Sequence, residues 1–213
     1  IGFFRTDSDL LYQDVIEGDL FTQVETTLEL LQTKYLRAGI SYQGAQRMER
    51  LPVPEAALRE AVINAIAHTD YGAAIPTQIS VYDHKLIIWN AGQLPSDWSL
   101  ARLMTKHSSQ PANPDIARTL FLAGLIESWG RGIDLIRRAC VAEASPLPTF
   151  DCDSAAFWVE FPFPVLASKK SLPGYAAGKR TLLETPVKTP VKTPVKTPVK
   201  TPEKILQYLA DKP

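Results

Sequence analysis

A proline at every fourth position of one segment is the strongest constraint on how this chain can fold. From Thr185 the sequence reads Thr-Pro-Val-Lys four times and then Thr-Pro-Glu-Lys, ending at Lys204. Proline clashes with the preceding turn of a helix and lacks the N–H that a sheet ladder needs. We therefore predict an extended, solvated, polyproline-like spacer, which separates a folded body from whatever follows it.

The charges are unevenly divided between this spacer and the body. The chain of 213 residues has 23 Lys+Arg and 23 Asp+Glu, whereas the five lysines of the repeat against Glu203 give the spacer +4, which leaves −4 elsewhere. Hydrophobic residues make up 45% and charged residues 22%, which excludes a wholly disordered chain and a uniformly basic nucleic-acid coat. The sequence has no long apolar run and no signal peptide, so we expect a cytoplasmic protein with no membrane partner.

Apolar spacing in the body predicts helices that alternate with strands in unequal runs. We expect helices over 20–37 and, after Pro54, over 57–68, and two strands joined by a tight turn at 83–85. A helix opened by Asn113 and Pro114, a helix from Gly132 to about Glu143 and a strand around the closing FWVEFPF follow. This order predicts an α/β (α+β) fold, a two-layer sandwich of helices on a mixed sheet.

One helix carries an unusual polar stripe. Glu60 and Asn64 are one helical turn apart, and His68 follows one turn later, with alanines around them. Small neighbours would let a ligand approach this face. The same spacing also occurs where Glu and Asn lie on the solvent-exposed face of an ordinary amphipathic helix, so helix geometry alone does not establish a site.

Two glycine motifs lie downstream. Asn90-Ala91-Gly92 ends an apolar strand, where a glycine permits a sharp turn and close backbone approach. Gly130 and Gly132 flank the start of a helix, whose first N–H groups can bind phosphate. The sequence contains no Gly-x-x-x-x-Gly-Lys-Ser/Thr motif, so it encodes no P-loop motor.

The remaining histidines and the cysteines predict no metal site. His84 and His107 are separated from His68 without clustered cysteines or carboxylates, which argues against zinc. Cys140 and Cys152 have neither metal-ligand nor redox-motif spacing.

In this order the motifs resemble the Bergerat ATP-binding fold of the GHKL group, which includes gyrase, Hsp90, histidine kinases and MutL. PEAALREAVINAIAHTDYG, LIIWNAGQLP, ANPDIARTLFLAGLIESWGRGID and FWVEF are more closely similar to the ATP-binding domain of bacterial regulators described as RecG-like helicase C-terminal, or AlbA/Schlafen-type divergent AAA-4, proteins. The resemblance covers residues 20–163. It implies ATP and Mg²⁺ as cofactors.

The resemblance also implies roles for individual residues. Glu60 would orient or deprotonate the attacking water as the catalytic residue, and Asn64 would be a magnesium ligand. Asn90 stands where the group usually has an Asp that accepts the adenine amino hydrogen, and Gly92 would let the base approach. His68 is expected within reach of a phosphate.

Gly130 and Gly132 would let a lid-like stretch fold over the phosphates. The sequence departs from the usual pattern at two further points, since Leu94 replaces the second glycine of the Asp-x-Gly-x-Gly motif and Ala112 replaces an arginine before Asn113.

The same resemblance divides the chain into four parts. Residues 1–19 would be the tail end of a preceding AlbA-like domain, 20–165 a GHKL-like ATP-binding domain, 166–202 the linker, and 203–213 the start of a truncated winged-helix-like domain. DNA would then be bound through the flanking domains, and the chain could form a homodimer.

Several functions remain open at this stage. The first is an ATP-binding sensor domain of a DNA-binding transcriptional regulator, which either hydrolyses ATP weakly or only binds it. The second is a degenerate, non-catalytic scaffold or dimerisation domain. A histidine-kinase-like phosphotransferase is disfavoured because the helix over 20–37 contains no histidine, and a helicase because motor motifs are absent.

Overall fold

The computed structural model describes residues 1–105, 107–126 and 130–164, apart from the side chains of residues 41–43. Ile1–Val165 form one compact unit. The predicted linker, 166–202, and the predicted winged-helix start, 203–213, lie outside the described residues.

Eight strands and five helices make up the described part of the chain. The strands are β1 (Gly2–Thr6), β2 (Asp9–Gln13), β3 (Gly39–Gln43), β4 (Gln46–Arg50), β5 (Gln78–Val81), β6 (Lys85–Ala91), β7 (Thr149–Cys152) and β8 (Ala156–Pro162). The helices are α1 (Leu20–Leu30), extended by a π-helical turn (Leu31–Tyr35), α2 (Glu55–His68), α3 (Leu100–Leu103), α4 (Pro114–Leu122) and α5 (Gly132–Ala142).

Within the described residues, six strands form a mixed sheet in the order β2-β1-β5-β6-β8-β7. The β1–β5 pair is parallel and the other pairs are antiparallel. The helices pack on this sheet, so the predicted fold class is confirmed. β3 and β4 form a separate hairpin.

Helix α2 lies at the centre of the helical layer. Pro54 precedes its first residue, where its missing N–H costs nothing, and Glu55 complements the positive end of the helix dipole. The helix contacts the sheet through β6 and is flanked by α1 and α5. It therefore buries an unusually large share of its residues: Ala57, Leu58, Ala61, Val62, Ile63, Ala65, Ile66 and Ala67.

The β3–β4 hairpin, helix α3 and strand β7 are absent from the sequence-based prediction. The β3–β4 hairpin has exposed residues throughout β4, so no alternation of apolar and polar residues marks it. Helix α3 and strand β7 have four residues each, which is too short for a period to be recognised. None of the three contributes the predicted site residues.

The N-terminal strands belong to the same sheet as the predicted site. Gly2 and Phe3 of β1 pair in parallel with Ser80 and Val81 of β5, and Phe3 is only 6% exposed. The predicted boundary between residues 19 and 20 thus falls inside one compact unit. The origin of residues 1–19 in an AlbA-like domain stays a prediction.

This pairing predicts that removing residues 1–19 destabilises the unit that holds the site. Deletion exposes the edge of β5 and loses the burial of Phe3, which is worth roughly 2 kcal/mol by itself. Thermal unfolding of the 213-residue chain and of a chain starting at Leu20 checks this. A melting temperature unchanged by the deletion would support the original boundary.

Candidate functional site

A cavity of about 460 Å³ lies between α2, the sheet, the start of α5 and the loop over residues 93–112. This volume is in the range of small-molecule sites. Three separate segments, α2, the end of β6 and the start of α5, bring every predicted site residue to its wall: Glu60, Asn64, His68, Asn90, Gly92, Gly130 and Gly132. Their chemical roles stay predictions.

Glu60 and Asn64 form a hydrogen-bonded pair on one face of α2. The Asn64 amide nitrogen donates to Glu60 Oε1 over 3.0 Å, as expected for side chains four residues apart on a helix. This bond fixes the Asn64 side chain so that its nitrogen faces Glu60. Its other polar atom, Oδ1, is an oxygen of the kind that Mg²⁺ accepts.

The first residue of α5 lies directly against this pair. A Cβ placed on Gly132 would be 2.5 Å from Glu60 Oε1 and 2.7 Å from Asn64 Nδ2, closer than real side-chain atoms approach. Gly130 has φ +64°, and a Cβ there would lie 2.5 Å from the carbonyl oxygen of His107. The glycines thus permit close packing of the start of α5 against both α2 and the loop.

Asn90 is buried at the end of β6, where it is 3% exposed. Its amide nitrogen donates to the carbonyl oxygen of Ala91 over 3.1 Å. With the nitrogen engaged, Oδ1 is the atom of this amide that remains to accept a hydrogen bond. Asn90 can therefore present an acceptor to a ligand, as an Asp would, but without the negative charge.

Gly92 has a packing role that the sequence does not reveal. Its φ is +149°, and a Cβ there would lie 2.8 Å from the carbonyl oxygen of His68 at the end of α2. Close backbone approach is thus required between the strand end and the helix end. The packing against His68 does not test whether an adenine base approaches Gly92, which stays a prediction.

The side chain of His68 is neutral at physiological pH. Burial, and to a smaller degree the electrostatic effect of nearby His107, lower the pKa of His68 below its ordinary value of 6.5. A neutral imidazole can donate one hydrogen bond to a phosphate but adds no charge to the site.

The last carbonyl oxygens of α2 accept hydrogen bonds from three side chains. Thr69 Oγ1 donates to Ala65 over 2.6 Å, and Tyr71 Oη donates to Ile66 over 3.0 Å. Asn113 Nδ2 donates to the next carbonyl, of Ala67, and also to that of Thr69. Thr69 and Tyr71, which follow His68 closely in the sequence, thus have a structural role at the end of α2. The long-range bonds of Asn113 have no signal in the sequence.

The inner half of the cavity is apolar. Ile88 and Val159 of the sheet, Phe150 and Phe157 near its edge, and Ile136 of α5 line it. A flat, uncharged ring system suits such walls. The sequence predicts no such role for these residues, because one-dimensional patterns do not distinguish a core side chain from one that lines a cavity.

The loop over 93–112 supplies the polar and aromatic outer wall. Trp98 packs edge-on against His107 with ring centroids 4.7 Å apart, and the Arg102 guanidinium lies 5.0 Å from the Trp98 ring. Trp98 Nε1 is buried without a hydrogen-bond partner among the described residues. Trp98 and His107 both line the cavity.

The protein side chains alone do not make a metal site. Across the described ranges, no group of three or more His, Cys, Asp or Glu residues is arranged to hold an ion. Mg²⁺ binds to nucleotides through phosphate oxygens, keeps several waters and needs few protein ligands. Asn64 Oδ1 fits that requirement, since the metal would be carried in with a nucleotide.

Among the residues that the structure describes, no helix has the length and hydropathy of a membrane span.

Comparison with known proteins supports an ATPase-type domain over part of the chain. Residues 75–161 match the family described as "Putative ATP-dependent DNA helicase recG C-terminal". The match includes Asn90, Gly92, Gly130 and Gly132, but Glu60 and Asn64 lie before it. No curated protein matches this chain.

One similar solved structure is that of the DIP2311 protein from Corynebacterium diphtheriae. It superposes with a TM-score of 0.65 at 22% sequence identity, covering 76% of this chain and 34% of that protein. At this identity the likeness establishes the fold alone. The chain spans about a third of the length of that protein.

The lowered pKa of His68 predicts a pH dependence of stability. The folded protein keeps His68 neutral, whereas the unfolded chain takes up a proton as pH falls through 6.5. Below this pH the unfolded state binds more protons, so the free energy of unfolding should decrease from about pH 7 to about pH 5.5. Chemical denaturation at a series of pH values measures this.

His68→Gln is the matched variant for that experiment. It removes the titrating group, so the free energy of unfolding should change less with pH in this window than in the parent chain. Identical pH dependence in the two proteins would contradict the assignment.

Proposed function

We propose that the cavity binds an adenine nucleotide together with Mg²⁺ and that the protein hydrolyses ATP slowly. The observation that carries this proposal is the convergence of the Glu60–Asn64 pair, Asn90 and the start of α5 on one cavity. The family match over 75–161 supports the coarser statement of an ATPase-type domain. The Bergerat-type, GHKL assignment is part of the proposal.

The base would occupy the apolar half of the cavity. Phe157, Ile88 and Ile136 offer walls for a flat ring, and Asn90 Oδ1 would accept a hydrogen from the adenine amino group. A neutral acceptor makes a weaker bond than a carboxylate, so we expect modest affinity. A purine with an oxygen at position 6 would place a hydrogen-bond acceptor against the acceptor Asn90 Oδ1, so it should bind more weakly than adenine.

The phosphates would lie at the other end, near the start of α5. The first N–H groups of a helix of this length attract anions, and Gly130 and Gly132 allow close approach. Asn64 Oδ1 would bind the metal that accompanies the phosphates, which neutralises their charge when bound. His68 would donate a hydrogen bond to a phosphate oxygen.

Glu60 would act as the general base. A carboxylate can orient a water and accept its proton as the water attacks the terminal phosphate. The hydrogen bond from Asn64 holds this carboxylate in a fixed orientation, so that the same helix face would position both the metal and the base.

In the whole protein, this domain would act as a nucleotide sensor of a DNA-binding transcriptional regulator. Nucleotide would order the loop over 93–112 and reposition the flanking domains, which would supply the AlbA-like and winged-helix DNA contacts. The proposal includes a cytoplasmic location and a homodimer. If the following tests show neither nucleotide binding nor hydrolysis, the domain is a non-catalytic scaffold.

The division of roles between Glu60 and Asn64 predicts two different losses. Glu60→Gln keeps an oxygen that can accept the Asn64 hydrogen bond but cannot take a proton, so hydrolysis should fall on the order of 100-fold or more with little change in affinity. Asn64→Ala should weaken binding of Mg-ATP and leave binding of metal-free ATP almost unchanged. Calorimetry with and without Mg²⁺, together with phosphate release, measures both.

Arg59→Ala is the control, because Arg59 is on the same helix but does not line the cavity. It should leave affinity and hydrolysis unchanged. Absence of any heat or thermal shift with ATP at millimolar concentration in the parent chain would favour the scaffold. Equal loss of binding in the Glu60 and Asn64 variants would refute the separate roles.

The packing of α5 against the pair predicts an effect of Gly132→Ala on binding but not on stability. Gly132 is the first residue of α5, so alanine gains less there than its advantage of about 1 kcal/mol over glycine in a helix interior. The new methyl group would displace only flexible side-chain ends, Glu60 Oε1 and Asn64 Nδ2, so the free energy of unfolding should change by less than about 1 kcal/mol. Affinity for Mg-ATP should fall, because both groups move. If Gly132→Ala binds Mg-ATP as tightly as the parent chain does, the metal does not bind at Asn64.

A further inference from the structure

Asn113 begins α4, yet its side chain does not cap that helix. An Asn at this position usually accepts a hydrogen bond from the N–H groups of the following turn, which stabilises a helix by about 1 kcal/mol. The Asn113 side chain makes no such bond. Its amide nitrogen instead donates to the carbonyl oxygens of Ala67 and Thr69, over 3.0 and 2.7 Å.

These two bonds join distant parts of the chain. They connect the residue that follows the 93–112 loop with the end of α2, across 46 and 44 positions of sequence. The residues just before Asn113, from Ser109 to Ala112, all line the cavity. The position of Asn113 thus sets the position of that part of the wall.

The other end of the same loop is attached at the same place. Gly92 immediately precedes the loop and packs against the carbonyl oxygen of His68. The N–H of Asp70 donates to the carbonyl of Ala91 over 2.7 Å. Both ends of the loop therefore meet the last turn of α2, and this helix also carries Glu60, Asn64 and His68.

We propose that Asn113 is a positioning residue that fixes the 93–112 loop to the end of α2 and so sets the outer wall of the cavity against Asn64 and His68. It touches no reacting atom. Its effect on a ligand rests on the proposed function, whereas its effect on the loop does not.

Two substitutions separate this role from helix capping. Asp and Ser are among the best residues at the start of a helix, so Asn113→Asp and Asn113→Ser both keep the capping chemistry of α4. Asp has no amide N–H and would direct a carboxylate at two carbonyl oxygens. Ser is too short to reach both of them. Each variant loses the connection to α2.

Tyr71→Phe is the matched control. It removes one hydrogen bond to the same helix end, from Tyr71 Oη to the carbonyl of Ile66, but this bond connects residues only five apart and does not involve the loop. It should cost stability without loosening the loop.

Hydrogen exchange of the full chain without nucleotide is the first measurement. We expect exchange of the amides of Leu103, Met104 and Thr105, which are hydrogen-bonded within the loop, to be on the order of tenfold faster in both Asn113 variants, as expected for the loss of two net hydrogen bonds. Tyr71→Phe should leave these amides within about twofold of the parent. Parent-like exchange in the variants, or equal loosening in Tyr71→Phe, would overturn the proposal.

Calorimetry with Mg-ATP is the second measurement. The Asn113 variants should bind several-fold more weakly than Tyr71→Phe, and unchanged affinity despite a loosened loop would overturn the link between loop position and site. If the parent chain binds no nucleotide, the proposed function fails. The exchange result then still decides whether Asn113 positions the loop.

Discussion

A helix leaves its last four carbonyl oxygens without partners in its own hydrogen-bond ladder, and the arrangement of this site depends on how α2 satisfies them. No glycine ends α2 in a left-handed turn. Thr69 and Tyr71 satisfy the carbonyls of Ala65 and Ile66, and Asn113 satisfies that of Ala67. Of these donors only Asn113 comes from a distant segment. Together with the bond from the Asp70 N–H to the carbonyl of Ala91, it joins the end of α2 to β6 and to the residue before α4, beside one cavity.

Along its side, α2 depends on close packing. Its buried residues fix it between the sheet and its neighbouring helices, so that the face with Glu60 and Asn64 meets the start of α5. A glycine at position 132 allows that approach with both side chains in place, since a Cβ there would push the ends of Glu60 and Asn64 aside. The polar pair is thus enclosed by a helix N-terminus, whose N–H groups favour anions. This arrangement gives the polar stripe a ligand chemistry that an exposed helix face lacks.

The sequence predicts the parts of the fold that have a regular period or a strong stop signal. The helix with Glu60 and Asn64 and the strand that ends at Asn90 are examples, because burial imposes an apolar pattern on both. The β3–β4 hairpin cannot be predicted in this way, because its exposed residues follow no pattern. The bonds of Asn113 depend on the fold that brings α4 to the end of α2. Its neighbours in sequence predict only a helix start. Position 92 requires a glycine because it packs against the carbonyl oxygen of His68, and this contact is likewise visible only in three dimensions.

The central claim is that the Glu60–Asn64 pair and Asn90 mark the two ends of one nucleotide site. A crystal structure of the chain with Mg²⁺ and a non-hydrolysable ATP analogue tests it most directly. The account predicts the metal at about 2.1 Å from Asn64 Oδ1, with the adenine amino group against Asn90. A nucleotide bound outside the cavity, or a metal without contact to Asn64, would contradict it.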